Sequence, residues 1–101
     1  MNNILENNID KIKTLCENHK VKSLYVFGSI LTNKFNEESD IDMIVDFENI
    51  DVNEYADNYF DLKFSLQDIL HYPIELLEKK AIKNPYFKQA ISSRQKLVYG
   101  H

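Results

Sequence analysis

The sequence predicts one α/β (α+β) domain, a sandwich in which helices pack on a small mixed sheet of three to four strands. Three observations predict this fold. The length of 101 residues, with 44% apolar and 28% charged residues, suits a single domain over residues 1–101. Short apolar runs typical of strands alternate with longer stretches at helical spacing. Glycine, proline and capping residues separate these segments.

An amphipathic helix is predicted first, over residues 3–19. Its apolar residues recur at intervals of three and four: Leu5, Ile9, Ile12, Leu15 and Cys16. The apolar run 23–27 is halted by Gly28, which predicts a buried strand followed by a tight turn or short helix. Residues 41–47 alternate as a second strand. This alternation places Asp40 and Asp42 on one face and apolar residues, including Ile41 and Met43, on the other.

The second half of the chain predicts a long helix, a third strand and a last helix. Asp51, followed by Glu54, resembles a capping box for a helix ending near Leu70. Pro73 opens a short strand through residue 77, at a position where a missing N–H donor is tolerated. Asn84, followed by proline, predicts the start of a helix to about residue 94. Residues 96–99 fit either the end of that helix or an edge strand.

Composition excludes several classes of protein. A net charge of −4 argues against a protein that coats nucleic acid, so we expect no direct nucleic-acid binding. The single Cys16 excludes an internal disulfide, and no apolar run approaches the roughly 20 residues of a membrane span. The first residues lack the basic and apolar blocks of a signal peptide, so we expect a cytoplasmic protein. Basic residues cluster near the end, either as a solvated face or as contacts to a phosphate or an acidic partner: Lys79, Lys80, Lys83, Lys88, Arg94 and Lys96.

One constellation indicates chemistry. Gly28 and Ser29 follow the first strand, and after ten further residues Asp40 and Asp42 open the second. Two carboxylates side by side on a strand repel each other, and a divalent cation such as Mg²⁺ or Mn²⁺ removes that repulsion. A glycine at a strand end lets phosphate oxygens approach the backbone, and the Ser29 hydroxyl adds a donor. The alternative is a plain turn followed by solvated aspartates.

The spacing of Gly-Ser and Asp-x-Asp resembles the signature of the polymerase β-like nucleotidyltransferases, in particular the single-domain minimal nucleotidyltransferases (MNT proteins). The resemblance covers nearly the whole chain and implies a nucleotidyltransferase-like fold. It implies a third metal-binding and catalytic carboxylate at Glu75, beside Asp40 and Asp42, and nucleotide binding by Gly28 and Ser29. Strand parity also supports Glu75, because its side chain is predicted to face away from its apolar neighbours.

The resemblance further implies an enzyme that uses two Mg²⁺ ions, with Mn²⁺ as a substitute, to transfer a nucleoside monophosphate from a nucleoside triphosphate to a hydroxyl. ATP is the expected nucleotide and AMP the transferred group. The acceptor implied is a HEPN-type toxin, for which MNT proteins act as antitoxins. The sequence is also compatible with a homo-oligomer.

Two alternatives stay open. MNT proteins commonly carry an Arg and a Gly shortly after the Gly-Ser pair, where this chain has Ile30 and Lys34. That departure favours a binding module that neutralises its partner by forming a complex, with little or no catalysis. The other alternative is transfer to a small molecule such as an aminoglycoside.

We expect the aromatic residues of the long helix mainly in the core, with some available to a partner: Tyr55, Tyr59, Phe60 and Phe64.

Overall fold

The fold is known from a computed structural model, which describes residues 3–100; Met1, Asn2 and His101 lie outside the described residues. Its helices are α1 (Asn3–Asn7), α2 (Ile9–Asn18), α3 (Val52–Leu70) and α4 (Pro85–Ser92). Its strands are β1 (Val21–Phe27), β2 (Ile41–Phe47), β3 (Ile74–Glu78) and β4 (Lys96–Gly100). Two short 3-10 turns, Gly28–Leu31 and Lys79–Ala81, follow β1 and β3.

The four strands form one mixed sheet in the order β3-β2-β1-β4. Strand β1 pairs antiparallel with both β2 and β4, whereas β2 and β3 run parallel. A parallel pair needs a long crossover connection, and here α3 provides it. The prediction of a small mixed sheet packed by helices is therefore confirmed, and residues 96–99 belong to an edge strand.

The main hydrophobic core lies between one face of the sheet and helices α2 and α3. Alternate residues of β2 point into it, as the sequence predicts, and are buried: Ile41, Met43, Val45 and Phe47. Leu62, Leu66 and Leu70 of α3 cover them at helical spacing. The opposite face of β2 carries Asp42, Ile44 and Asp46, and α4 lies on that side.

Helix capping follows the sequence closely. The side chain of Asp51 accepts a hydrogen bond from the backbone N–H of Asn53 at 2.9 Å. The side chain of Asn84 accepts from the N–H groups of Tyr86 and Phe87 at 2.9 and 3.1 Å. These side chains satisfy donors that the first helical turn leaves without intrahelical partners, so both helices start where the sequence indicates.

The predicted single helix over residues 3–19 is wrong in one respect, because it is interrupted at Asn8. The Asn8 side-chain amide donates to the carbonyl oxygen of Ile4 at 2.8 Å, and its backbone departs from helical geometry with φ −117° and ψ 11°. Asparagine side chains compete in this way for backbone groups, which explains the break. No helix among residues 3–100 is long and apolar enough to cross a membrane.

Candidate active site

The predicted phosphate turn lies at the end of β1. Gly28 has φ +79°, a left-handed conformation that residues with a side chain adopt at a cost. The following 3-10 turn is closed by Thr32, whose backbone N–H and hydroxyl both donate to the carbonyl oxygen of Ser29, at 2.9 and 2.8 Å. The loop after β1 therefore has a defined shape at the end of the sheet that holds the predicted metal ligands.

Strand pairing brings the predicted carboxylates together. Asp42 is opposite Phe27 on β1 and opposite Glu75 on β3. Glu75 is exposed, whereas its neighbours Ile74 and Leu76 are buried, so its predicted orientation is correct. Asp40 is exposed and precedes β2 by one residue. We call Asp40, Asp42 and Glu75 the carboxylate cluster.

The electrostatics of Asp42 show how closely these groups interact. Its pKa is raised from 3.8 to about 6, chiefly because burial disfavours the charged carboxylate. A hydrogen bond with the Glu75 side chain and the charges of Glu75 and Asp40 raise it further. Such a bond requires that one of the two carboxyl groups carries a proton. The protein alone therefore holds Asp42 in an environment that favours its neutral form.

Gly28 approaches the same carboxylate. A Cβ atom added at Gly28 would lie 2.5 Å from Oδ2 of Asp42, closer than real Cβ contacts. Only glycine therefore leaves the space between the end of β1 and Asp42 open. This close approach joins the turn and the carboxylate cluster, which the sequence predicts separately, into one site.

The donor set of the cluster fits a hard cation. All three side chains offer oxygen, the donor preferred by Mg²⁺ and Mn²⁺. A cation would offset both the burial, which is the main cause of the raised pKa of Asp42, and the repulsion by Glu75 and Asp40, which adds to it. Within the described residues, no three Asp, Glu, His or Cys side chains converge into a cage for an ion. Mg²⁺ does not need one, since it is usually bound by one or two carboxylates together with substrate phosphates.

A cavity of about 370 Å³ opens on the same face of the sheet, beneath α4. Its floor includes Tyr25 and Ile44, which pair across β1 and β2. Ile44 is two residues from Asp42, or roughly 7 Å along the strand. Lys79 and Lys88 line the cavity and give it positive charge. Sequence reasoning grouped both lysines in the basic cluster but had no signal for the cavity, which depends on how α4 packs.

The two residues that depart from the MNT pattern, Ile30 and Lys34, lie in different environments. Ile30 is 1% exposed and belongs to the hydrophobic core. Lys34 is exposed on the loop between β1 and β2.

Cys16 is buried, and burial together with the charge of Glu17 raises the pKa of its thiol to about 12. A thiol in that state is inert, as the sequence suggests.

Tyr59 is a residue near the site that sequence reasoning missed. Its hydroxyl donates to the carbonyl oxygen of Leu76, next to Glu75, at 2.5 Å. Burial, and then the negative charge of Glu75, raises the pKa of the Tyr59 phenol. Helical spacing indicates only that Tyr59 faces the sheet, and the hydrogen bond depends on the docking of α3 against β3.

Known protein families and relatives resemble this chain over most of its length. The family described as "Polymerase beta, Nucleotidyltransferase" matches residues 10–101. A Methanocaldococcus jannaschii protein, described as a predicted protein adenylyltransferase, is 41% identical over 87 residues, which cover 86% of this chain and 84% of the relative. The protein adenylyltransferase MntA of Thermococcus cleftensis is 30% identical over 79 residues, or 78% of this chain and 77% of that protein.

Solved structures show the same fold. A minimal nucleotidyltransferase superimposes with a TM-score of 0.76 and 22% identity, over 91% of this chain and 90% of that one. A toxin-antitoxin complex with AMP-PNP gives a TM-score of 0.70 and 23% identity, over 93% and 74% of the two chains. A complex of a tri-AMPylated Shewanella oneidensis HEPN toxin with its MNT antitoxin gives 0.65 and 21% identity, over 96% and 73%. With a family match over most of its length and relatives at 30–41% identity, this chain belongs to the polymerase β nucleotidyltransferase family.

Proposed function

We propose that this chain transfers AMP from ATP, with Mg²⁺, to a hydroxyl of a HEPN-type partner protein, and that it thereby acts as the partner's antitoxin. The observation that carries the proposal is the pairing of Asp42 with Glu75 beside the open backbone of Gly28. This arrangement combines a site for a divalent cation with room for a phosphate. Relatives described as protein adenylyltransferases support both AMP as the transferred group and a protein as the acceptor.

In the proposed reaction, the acceptor oxygen forms a bond to the α-phosphorus of ATP, and the bond from that phosphorus to the bridging oxygen breaks. Pyrophosphate leaves, and the acceptor proton passes to the Glu75 carboxylate, which is exposed at the edge of the sheet. Asp40, Asp42 and Glu75 would hold Mg²⁺, which supplies positive charge to the phosphate oxygens. Gly28 and Ser29 would bind the triphosphate through backbone N–H groups and the hydroxyl.

The cavity beneath α4 supports a nucleotide as the donor substrate. Its volume of about 370 Å³ falls in the range typical of small-molecule sites, and it lies on the face of the sheet that carries Asp42. Lys79 and Lys88 would attract a triphosphate, while Tyr25 and Ile44 offer apolar surface to a base. We infer that the nucleotide extends from the carboxylate cluster into this cavity. The AMP-PNP complex of a protein with this fold supports ATP as the nucleotide.

A HEPN-type protein is the proposed acceptor because structures with this fold come from toxin-antitoxin complexes, one of them containing an AMPylated HEPN toxin. The geometry is compatible with a large acceptor. Glu75 is exposed on β3, which is an edge strand of the sheet. A protein hydroxyl can therefore reach the carboxylate cluster from outside without entering a closed pocket.

The proposal is tested by incubating the chain with Mg²⁺, ATP labelled at the α-phosphate and the HEPN-type protein from the same genome. We expect label on the HEPN-type protein with the unmodified chain and its loss with Asp40→Asn or Asp42→Asn. Asp46→Asn is the matched control, since Asp46 lies on the same strand and face but four residues from Asp42. Absence of transfer from any nucleoside triphosphate would overturn the enzyme proposal. Label that persists in both site variants would overturn the site assignment.

A second candidate is a module that neutralises its partner by binding alone. Ile30 favours it, because a core residue occupies a position where MNT proteins commonly carry an Arg. Growth of cells that express the HEPN-type protein separates the two functions. If the Asp42→Asn variant protects these cells as well as the unmodified chain does, binding is sufficient.

A further inference from the structure

Gln95 is an uncharged polar residue that lines the cavity beneath α4. It lies between the end of α4 and the start of β4, and it is half-buried. Among residues 3–100, none forms a hydrogen bond with its side-chain amide. The carbonyl oxygen and the NH₂ group of this amide are therefore both available to a molecule in the cavity.

The other polar groups that line the cavity suit different tasks. Lys79 and Lys88 are cations, which suit phosphate oxygens rather than a neutral base. The Ser92 hydroxyl already donates to the backbone carbonyl oxygen of Lys88 at 2.8 Å. Tyr25 offers a ring and one hydroxyl, which presents no fixed pair of donor and acceptor. Gln95 is the described lining residue that holds a donor and an acceptor side by side, as recognition of a base edge requires.

The sheet brings Gln95 level with the carboxylate cluster. Strand β1 lies between β2 and β4, and Phe27 of β1 is opposite Asp42 of β2. On the other side of β1, Val26 is opposite Lys96 of β4. Continuing this antiparallel register by one residue brings Gln95 opposite Phe27. The backbones of Asp42 and Gln95 are therefore two interstrand spacings apart, or roughly 10 Å. This separation is comparable with that between the α-phosphate and the base edge of a nucleotide.

We propose that Gln95 selects adenine as the base of the donor nucleotide. This inference rests on the proposed function, which supplies the nucleotide. The Gln95 carbonyl oxygen accepts a hydrogen bond from the 6-amino group of adenine, and its NH₂ group donates to N7. Guanine presents two acceptors on that edge, O6 and N7, so the amide oxygen would face an acceptor instead of a donor. Tyr25 and Ile44 form the floor beneath the base.

Calorimetry on the chain alone tests this selection. It compares the magnesium complexes of ATP and of purine riboside triphosphate, which lacks the 6-amino group. We expect the unmodified chain to bind ATP about 10-fold more tightly than the analogue, as for a directed contact to a base edge. Gln95→Leu removes the amide and should bind the two nucleotides equally. Gln89→Leu is the matched control and should keep the preference, since Gln89 is exposed on α4 and does not line the cavity.

The preference for ATP over the analogue separates the outcomes. The same preference in the unmodified chain and in Gln95→Leu would overturn the inference and leave the proposed function intact. Loss of the preference in Gln89→Leu as well would also overturn it. Failure of the proposed function gives a different result, in which the unmodified chain binds ATP with this preference but transfers no AMP to any acceptor.

Gln95→Arg tests the edge of the base that is recognised. Arginine donates two hydrogen bonds to O6 and N7 of guanine. We therefore expect the ratio of the dissociation constants for Mg·ATP and Mg·GTP to shift about 10-fold or more towards GTP, relative to the unmodified chain. Both nucleotides are measured on the same protein, so a general loss of stability does not produce this shift. An unchanged ratio would overturn the assignment of Gln95 to the base.

Discussion

Asp42 and Glu75 face each other across the parallel strands β2 and β3, and their carboxyl groups share a hydrogen bond when one is protonated. Glu75 lies on the edge strand β3, and Asp42 lies on the next strand inward. The state of this pair therefore responds to protons, to divalent cations and to substitutions in either strand.

Glu75→Gln should lower the pKa of Asp42 from about 6, because it removes a negative charge and introduces a hydrogen-bond donor for the ionised form. The pKa should stay above 3.8, since burial is the largest cause of the shift. Titration of the Asp42 carboxyl by NMR measures it. Asp40→Asn is the comparison, and we expect a smaller decrease, as Asp40 contributes the smallest of the four causes. An unchanged pKa in Glu75→Gln would contradict the pairing.

Stability without divalent cations should depend on pH through Asp42. Its pKa is higher in the folded chain than in the unfolded chain, so the folded state binds the proton more tightly between pH 3.8 and about 6. The contribution of Asp42 to the free energy of unfolding therefore decreases as pH rises through this window.

Denaturant unfolding of the unmodified chain and Asp42→Asn, compared at pH 4 and pH 7, measures this contribution. We expect the variant to gain stability relative to the unmodified chain at pH 7, and Mg²⁺ to reduce that difference by stabilising the ionised carboxylate. If the difference in the free energy of unfolding between the two proteins were the same at pH 4 and pH 7, Asp42 would have the same pKa in the folded and unfolded chains.

Gly28→Ala should impair both stability and the site. The left-handed backbone costs an alanine about 1–2 kcal/mol, and its methyl group would press on Oδ2 of Asp42. Gly100→Ala is a matched control with φ +90°, at the other end of β1, where the methyl group would meet Lys22. Both variants should unfold more easily, but only Gly28→Ala should also weaken Mg·ATP binding measured by calorimetry under native conditions. Equal loss of Mg·ATP binding in both would indicate a general effect of destabilisation.

Asn84→Ala should loosen α4 and thereby the cavity. The substitution removes the acceptor for two backbone N–H groups and should cost about 1 kcal/mol of stability. Asp51→Ala removes the corresponding cap of α3 and should cost a similar amount. Because α4 covers the proposed nucleotide site, only Asn84→Ala should weaken binding of a fluorescent ATP analogue. Equal binding by both variants would argue against a nucleotide in this cavity.

Much of the fold is readable in the sequence, because it depends on local patterns. The bounds of β2 follow from an alternation of apolar and polar residues that only Ile44 interrupts, and the starts of α3 and α4 follow from Asp51 and Asn84. The break at Asn8 has no signal in the sequence, since asparagine is compatible with a helix unless its side-chain amide bonds to a backbone carbonyl, here that of Ile4. Residues 96–99 could not be assigned locally, because their pairing with β1 is a contact between distant parts of the chain.

The same distinction applies to the site. Gly28, Ser29, Asp40 and Asp42 are close in sequence and have a recognisable spacing, whereas Glu75 needed a family resemblance. The hydrogen bond of Tyr59 and the cavity beneath α4 depend on how α3 and α4 dock on the sheet. No local sequence pattern predicts that docking. The roles of the carboxylate cluster in metal binding and catalysis stay predictions.

The crossover between β2 and β3 has a consequence for folding. Strands β1 and β2 are antiparallel neighbours joined by a loop of 13 residues, 28–40, whereas the connection from β2 to β3 includes the 19 residues of α3. Contacts that close long loops form late, because closing a long loop costs more conformational entropy before the contact stabilises the chain. An intermediate with only the β1–β2 hairpin would have Asp42 but not its partner on β3. The candidate site is therefore complete only in the native topology.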